Sequence, residues 1–264
     1  MKKRFSVVLS MVLVLTMVMS VVSLAADNSL EEIEEKGKFI VGLDDSFPPM
    51  GFRNEEGEID GFDIDLAKEA ASRLGVDVEF KPVEWDGVLF SLKNGNIDVI
   101  WNGLTITEER AKKIDFTEPY LDNRQIIVVQ KGSDIESKAD LAGTIVGVQL
   151  GSSSVSALKS EPEVVDSLEE LRKFSNNMEA LLDLRTGRID AVVVDEIVGR
   201  YYIRQKPDTY VILDDHFGKE SYGVGVRAED DSFREALDQV LNEMKEDGTA
   251  AEIAREWFGE DIVK

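Results

Sequence analysis

Apolar and polar residues follow two rhythms along this chain. Phe39-Ile40-Val41-Gly42-Leu43 is a continuous apolar run of strand length. Such a run reads as a strand buried on both faces. Over residues 62–74 the period lengthens. Phe62, Leu66, Ala70 and Leu74 fall on one side, which predicts an amphipathic helix. Residues 76–80 alternate as a strand does. Residues 88–93 predict a helix closed at Gly95, and residues 97–101 a strand. The same order returns downstream: a strand at 144–148, helices at 155–159 and 168–185, and a strand at 191–194. Strands alternating with helices predict parallel sheets in an α/β fold. The last third differs, with a strand over 222–226 and helices over 231–245 and 250–258.

Two sequence echoes suggest how these elements are grouped. Leu92-Lys93-Asn94-Gly95-Asn96-Ile97-Asp98-Val99-Ile100 resembles Leu184-Arg185-Thr186-Gly187-Arg188-Ile189-Asp190-Ala191-Val192. Each describes a helix end, a Gly cap and a strand beginning Ile-Asp. Ile40-Val41-Gly42-Leu43-Asp44 pairs likewise with Ile145-Val146-Gly147-Val148-Gln149. Any two α/β units share such features, so the echo is either generic or the mark of two similar lobes. On the second reading Asp44 and Gln149 occupy equivalent strand ends, as do Gly103 and Asp195. Open α/β sheets bind ligands beyond the carboxyl ends of their strands, so all four would face a cleft between lobes. Asp98 and Asp190, at the opposite strand ends, read as structural.

Composition then removes several function classes. The 264 residues carry 30 basic and 53 acidic side chains, a formal charge of −23. Nucleic-acid binding needs a basic footprint, and attraction to anionic membranes needs basic clusters. With no Cys there are no disulfides, thiolate metal sites or lipid-bearing Cys. The single His, His216, argues against a multi-His metal site or a Ser-His-Asp triad and reads as a loop residue. Neither a cofactor nor a metal is expected.

Lys2, Lys3 and Arg4 precede an uncharged, mostly apolar stretch over residues 5–22, followed by Ser23-Leu24-Ala25. Basic start, apolar middle and small residues at the cut describe a secretory signal peptide, cleaved after Ala25 or Ala26. An uncleaved anchor is the alternative, since the stretch is nearly long enough to span a bilayer. The remaining chain holds no second apolar run and is expected in the periplasm.

Few residues remain as candidates for chemistry. Thr107 reads as an N-cap, which puts Arg110 in a first helical turn, where the dipole disfavours a cation. Either Arg110 grips a carboxylate with its planar fork, or it is a surface residue paired with Glu109 or Asp115. Ser152 and Ser153, after Gly151, either help bind an anion at a helix start or cap the helix. Asp195 either meets a cation or caps a helix starting at Glu196. Phe47 and Trp85 are core aromatics or the two faces of a sandwich around a ligand.

In order along the chain, these segments resemble the amino-acid-binding branch of the periplasmic solute-binding proteins, the receptors of ABC importers. The matching stretches are Phe47-Pro48-Pro49-Met50, Gly61-Phe62-Asp63-Ile64-Asp65-Leu66, Gly103-Leu104-Thr105-Ile106-Thr107-Glu108-Glu109-Arg110 and Ile114-Asp115-Phe116-Thr117-Glu118-Pro119-Tyr120. Gly147-Val148-Gln149-Leu150-Gly151-Ser152-Ser153 and Asp247-Gly248-Thr249 with Trp257-Phe258 complete the set. The resemblance implies a two-lobed, type II binding-protein fold with the ligand between lobes. Lobe 1 would be residues 26–122 and 223–264, and lobe 2 residues 123–222, with crossover strands near 123–128 and 221–224. It implies that Arg110, Thr105, Ser152 and Ser153 hold the ligand α-carboxylate. Asp195 and the Gly103 carbonyl would take the α-ammonium, Phe47 and Trp85 would sandwich the ligand, and Asp44, Asn102 and Gln149 would meet its side chain. It implies a monomeric, non-enzymatic receptor that delivers an amino acid to a membrane permease. Gln149 replaces a Lys of some glutamine-type receptors, and Trp85-Asp86-Gly87 resembles some cystine-type ones. The ligand therefore stays open among glutamine-like, cystine-like and basic amino acids. A dehydratase-type enzyme on the same scaffold and a soluble sensor partner are the rival readings.

Overall fold

The computed structural model describes residues 27–264. The predicted signal peptide and its cleavage point lie outside the described residues. The first half contains α1 (Ser29–Lys36), β1 (Lys38–Leu43), β2 (Ser46–Phe47), β3 (Gly51–Arg53), β4 (Ile59–Asp60), α2 (Phe62–Leu74), β5 (Asp77–Pro82), α3 (Val88–Lys93), β6 (Val99–Ile100) and β7 (Asp115–Phe116). The long β8 (Leu121–Gln130) leads to β9 (Ile145–Gln149), α4 (Ser153–Lys159), α5 (Pro162–Ser167), β10 (Glu170–Phe174), α6 (Asn177–Arg185), β11 (Ala191–Asp195) and α7 (Glu196–Gln205). β12 (Tyr210–Tyr222), β13 (Gly225–Val226), α8 (Asp231–Glu246) and α9 (Thr249–Phe258) follow.

The strands form two large sheets, ordered β5-β1-β6-β13-β7 and β10-β9-β11-β8-β12. The result is a two-lobed α/β fold. β13 comes back from near the C-terminus to lie between β6 and β7, so the first sheet is built from both ends of the chain. The first core gathers Phe39, Val41, Phe62, Leu66, Ala70 and Phe233, all buried. The apolar face of α2 and the continuous apolar β1 thus meet in one interior. In the second sheet Val146, Val148, Ala191 and Val193 share a core with Leu158 of α4.

The two echoes fold into matching geometry. β1 lies parallel to β6 with Val41 opposite Val99 and Gly42 opposite Ile100. β9 lies parallel to β11 with Val146 opposite Ala191 and Gly147 opposite Val192. Asp98 Oδ2 accepts the Ile40 N–H at 3.0 Å, and Asp190 Oδ2 accepts the Ile145 N–H at 2.8 Å. A Cβ added at Gly42 would strike the Ile97 δ-methyl, and one at Gly147 the Ile189 δ-methyl. The structural role expected of both acids is what the geometry displays.

Four expectations need correction. The sheets are mixed rather than parallel: β8 runs antiparallel to β11 and β12, and β13 antiparallel to β6 and β7. The helix expected over 168–185 begins only at Asn177. Residues Glu170–Phe174 pair in parallel with β9, and Asn176 Oδ1 caps α6 by accepting the Glu179 N–H at 2.9 Å. The strand expected over 222–226 divides, because Tyr222 ends β12 in one sheet while Gly225 begins β13 in the other. His216 lies within β12, opposite Ile126, rather than in a loop.

The chain passes from the first sheet to the second between β7 and β8, and back between β12 and β13. Leu121, Asp122, Asn123 and Arg124 pair antiparallel with Tyr222, Ser221, Glu220 and Lys219. Among the described residues no helix is long and apolar enough to cross a membrane.

Candidate functional site

Four strand ends carry candidate residues. Asp44 follows β1, Gly103 follows β6, Gln149 ends β9 and Asp195 ends β11. Asp44 and Gln149, the equivalent positions of the two echoes, touch: Gln149 Nε2 donates to Asp44 Oδ2 at 2.6 Å. Ser46 holds the other Asp44 oxygen through its N–H at 2.9 Å and its hydroxyl at 2.6 Å. Gln149 Oε1 accepts from Asn177 Nδ2 at 3.0 Å. Asn102 lies one layer behind, its Oδ1 accepting the Asp44 N–H at 3.1 Å.

Gly103 occupies a position that no larger residue fits. Its φ is +60°, and a Cβ there would come within 2.8 Å of the Phe47 ring. Its N–H donates to Asp63 Oδ2 at 2.7 Å, and the Tyr120 hydroxyl donates to the same oxygen at 2.9 Å. Asp63 is fully buried, and burial pushes its pKa up to about 7, with both hydrogen bonds opposing the rise.

Arg110 follows a single turn rather than an α-helix. The Thr107 hydroxyl does accept the Arg110 N–H at 3.2 Å, and the Ala111 N–H reaches the Thr107 carbonyl at 2.8 Å. The guanidinium is 8% exposed and donates to two carbonyls, Thr105 O at 2.9 Å and Gly151 O at 3.1 Å. Glu109 pairs with Lys113 instead, at 2.9 Å. Burial draws the Arg110 pKa down, and the charges of Glu220 and Asp195 oppose that. A buried cation whose described hydrogen bonds go to carbonyls leaves donors of its five-donor fork for an anion. Thr105 Oγ1 and Ser153 Oγ lie 3.0 Å apart beside it, joining the two lobes. Ser152 is drawn away, its hydroxyl donating to Gln149 O at 2.8 Å.

Asp195 is 3% exposed and makes no side-chain cap bond to α7. Its Oδ1 accepts from the Tyr222 hydroxyl at 2.7 Å and from Asn123 Nδ2 at 2.8 Å. Burial raises its pKa well above the usual carboxylate range, Glu220 raises it further, and the Tyr222 hydrogen bond lowers it. Phe47 and Trp85, both nearly buried, lie 6.5 Å apart between centroids and 7° from parallel. The Arg110 guanidinium carbon stands 5.9 Å from the Trp85 ring centre. A cavity of about 230 Å³ opens beside Trp85, Arg110 and Ser153.

Sequence reading did not nominate Glu220, Asn123 or Gln125. Glu220 Oε1 accepts from Thr105 Oγ1 at 2.8 Å, Asn123 Nδ2 at 2.6 Å and Gln125 Nε2 at 2.8 Å. In sequence Glu220 sits in a polar turn-like stretch, and only pairing with β8 brings it inward. His216 stays outside the cleft, its Nδ1 accepting the Gly218 N–H at 3.0 Å.

The fold is two-lobed, with the Arg110 cation and the Asp195 carboxylate both buried. The chain belongs to the bacterial extracellular solute-binding proteins, family 3, whose model matches residues 39–260. It is 35% identical over 248 residues to the L-cystine-binding protein TcyJ of Escherichia coli (strain K12), covering 93% of this chain and 92% of that one. Among solved structures it resembles an ABC uptake transporter substrate-binding protein from Streptococcus pneumoniae with bound histidine. That likeness has a TM-score of 0.87 and 32% identity, covering 91% of this chain and 99% of the other. An ancestral arginine-binding protein bound to arginine is 46% identical with a TM-score of 0.80, covering 84% of this chain and 99% of that one.

Proposed function

We propose that this chain binds a polar L-amino acid outside the cytoplasm and delivers it to an ABC importer by closing its lobes. The observation that carries the reading is the burial of Arg110 and Asp195, linked through Thr105, Glu220 and Asn123. An α-amino acid carries the complementary pair of charges a bond or two apart. Each contact is charge-assisted, and each strengthens when closure removes water. Arg110, Thr105 and Ser153 hold the α-carboxylate, with Ser152 shaping the turn beside them. Asp195 and the Gly103 carbonyl hold the α-ammonium. Phe47 and Trp85 line the ligand's flanks, and Asp44 and Gln149, backed by Asn102, meet its side chain.

Lobe 1 comprises residues 26–122 and 223–264 and lobe 2 residues 123–222, with the β8–β12 pair as the hinge. A ligand touching both lobes binds the closed form better, which is the condition for driving closure. The permease of the importer reads that closed form. The chain acts as a monomeric periplasmic receptor without catalysis. The relatives' names span cystine, histidine and arginine, and Asp44 with Gln149 suits a polar or basic side chain.

Thermal melting of the exported chain tests this, after unfolding and refolding to strip bound ligand. The panel is the L-amino acids, cystine, ornithine and prephenate. A ligand at a hundred times its Kd adds about 2.7 kcal/mol. A shift with one or a few amino acids is expected. No shift with any of them, or a shift with prephenate alone, overturns the reading.

A further inference from the structure

The second crossover strand contributes a carboxylate that the charge pairing above leaves unused. Glu220 sits on β12 opposite Asn123 of β8. The Asn123 amide nitrogen is forked between two acids, 2.8 Å from Asp195 Oδ1 and 2.6 Å from Glu220 Oε1. That fork also fixes which end of the amide is nitrogen, since neither carboxylate would face an oxygen. Gln125 Nε2 holds Glu220 from the same strand at 2.8 Å. The two carboxylates are thus drawn together, although like charges repel and Arg110 is the cation acting on both.

A second observation concerns the same amide. Asn123 is 6% exposed, and its Oδ1 is a buried acceptor with no hydrogen-bond partner among the described residues. Leaving such an atom unpaired costs about 1–3 kcal/mol. Two neighbouring carboxyl groups and an orphaned amide oxygen together suit one compact cation with several N–H donors, which would favour the ionised form of both acids. An ammonium supplies three.

We propose that Glu220 is a further ligand-binding residue, which with Asp195 and Asn123 Oδ1 brackets the α-ammonium and makes the site demand a free one. The inference rests on the amino-acid reading above. Glu220 Oε1 also accepts from the hydroxyls of Thr105, at 2.8 Å, and Ser153, at 3.4 Å. A ligand α-carboxylate beside Arg110 takes over both hydroxyls, which rotate freely. The Asn123 and Gln125 amides then keep Glu220 beside the ammonium. Molecules with the α-carboxylate but without the ammonium, such as 2-hydroxy acids, meet two carboxylates and no compensation.

The test uses the amino acid that shifts the wild-type melt, its 2-hydroxy-acid analogue, and calorimetric titration of wild type, Glu220→Gln and Glu220→Asp. If no amino acid binds wild type, the amino-acid reading itself fails before this question arises. Glu220→Gln is expected to weaken the amino acid at least tenfold while leaving the hydroxy acid no weaker, so that discrimination shrinks. Glu220→Asp keeps the charge and is expected to retain discrimination, which covers the case in which the Gln variant misfolds. Unchanged or tighter amino-acid binding by the Gln variant would show that Glu220 merely occupies the carboxylate's place. Equal loss of both ligands would make it a structural hinge residue. Loss of discrimination in Glu220→Asp would equally contradict a charge bracket. Each of these three results overturns the proposal.

Discussion

The two parallel strand pairs at the heart of the lobes, β1 with β6 and β9 with β11, are the same device used twice. In both, an Ile-Asp step begins the second strand, and its carboxylate accepts the N–H of an Ile on the first. In both, a Gly on the first strand leaves space for that Ile's δ-methyl. The far ends differ. β6 runs out into Gly103, whose positive φ turns the chain toward Thr105 and Arg110. β11 runs out into Asp195. The segment beyond β6 thus leads to a buried cation, while β11 ends in a buried carboxylate. The bottoms of the strands are kept alike by packing, while the tops diverge in the chemistry they lead to.

The largest effect should come from removing either charge at the tops. Arg110→Ala or Asp195→Asn is expected to cost about 3 kcal/mol of binding, on the order of a hundredfold or more. Calorimetric titration measures it, and melting of the free variants should show little loss of fold. A variant that binds within a fewfold of wild type would break the assignment of that end.

The bottoms should respond in stability and not in specificity. Gly42→Ala and Gly147→Ala each press a methyl against the end of a buried Ile side chain. Each is expected to lose about 1–3 kcal/mol. Chemical denaturation checks this, and the two losses should be alike if the lobes share one design. A loss at one site with none at the other would weaken the comparison.

A pH-dependent effect concerns Asp63 alone. Asp63 holds the Gly103 turn, and its pKa is raised to about 7 against an ordinary 3.8. The native state therefore keeps a proton that the unfolded chain has already lost. Stability from this group is present below pH 4 and fades as pH rises toward 7. Asp63→Asn retains an acceptor for the Gly103 N–H and removes the charge. Its melting temperature should gain on wild type between pH 4 and pH 8. A constant difference across that range would contradict the buried-acid account.

Local order was legible where one short segment decides it. The apolar stripe of α2 gave its bounds directly, and the Ile-Asp echoes announced the paired lobes. The sequence nominates Arg110, Ser153 and Asp195 only beside a surface or capping reading, and Thr105 only through the family resemblance. The misread segment at 168–185 has a different cause. Leu168, Leu171 and Phe174 fit a helical spacing, and the strand over Glu170–Phe174 exists because β9 offers an edge, which no local period reveals. Glu220 was invisible for a similar reason. Nothing in Gly218-Lys219-Glu220-Ser221 marks it, and its neighbours Asn123 and Gln125 lie 97 and 95 residues away in the chain. Asp195 was left between capping and cation binding, and its lack of a cap bond removes the first.

The proposed site depends on Arg110 and Asp195 gripping the two charges of one amino acid. Calorimetry with the bound amino acid, its α-carboxamide and its 2-hydroxy-acid analogue tests this most directly, since each analogue lacks one charge. The account predicts that both analogues bind at least a hundredfold more weakly than the parent. If either binds nearly as well, that end of the ligand is not held, and the pairing of Arg110 with Asp195 does not define the site.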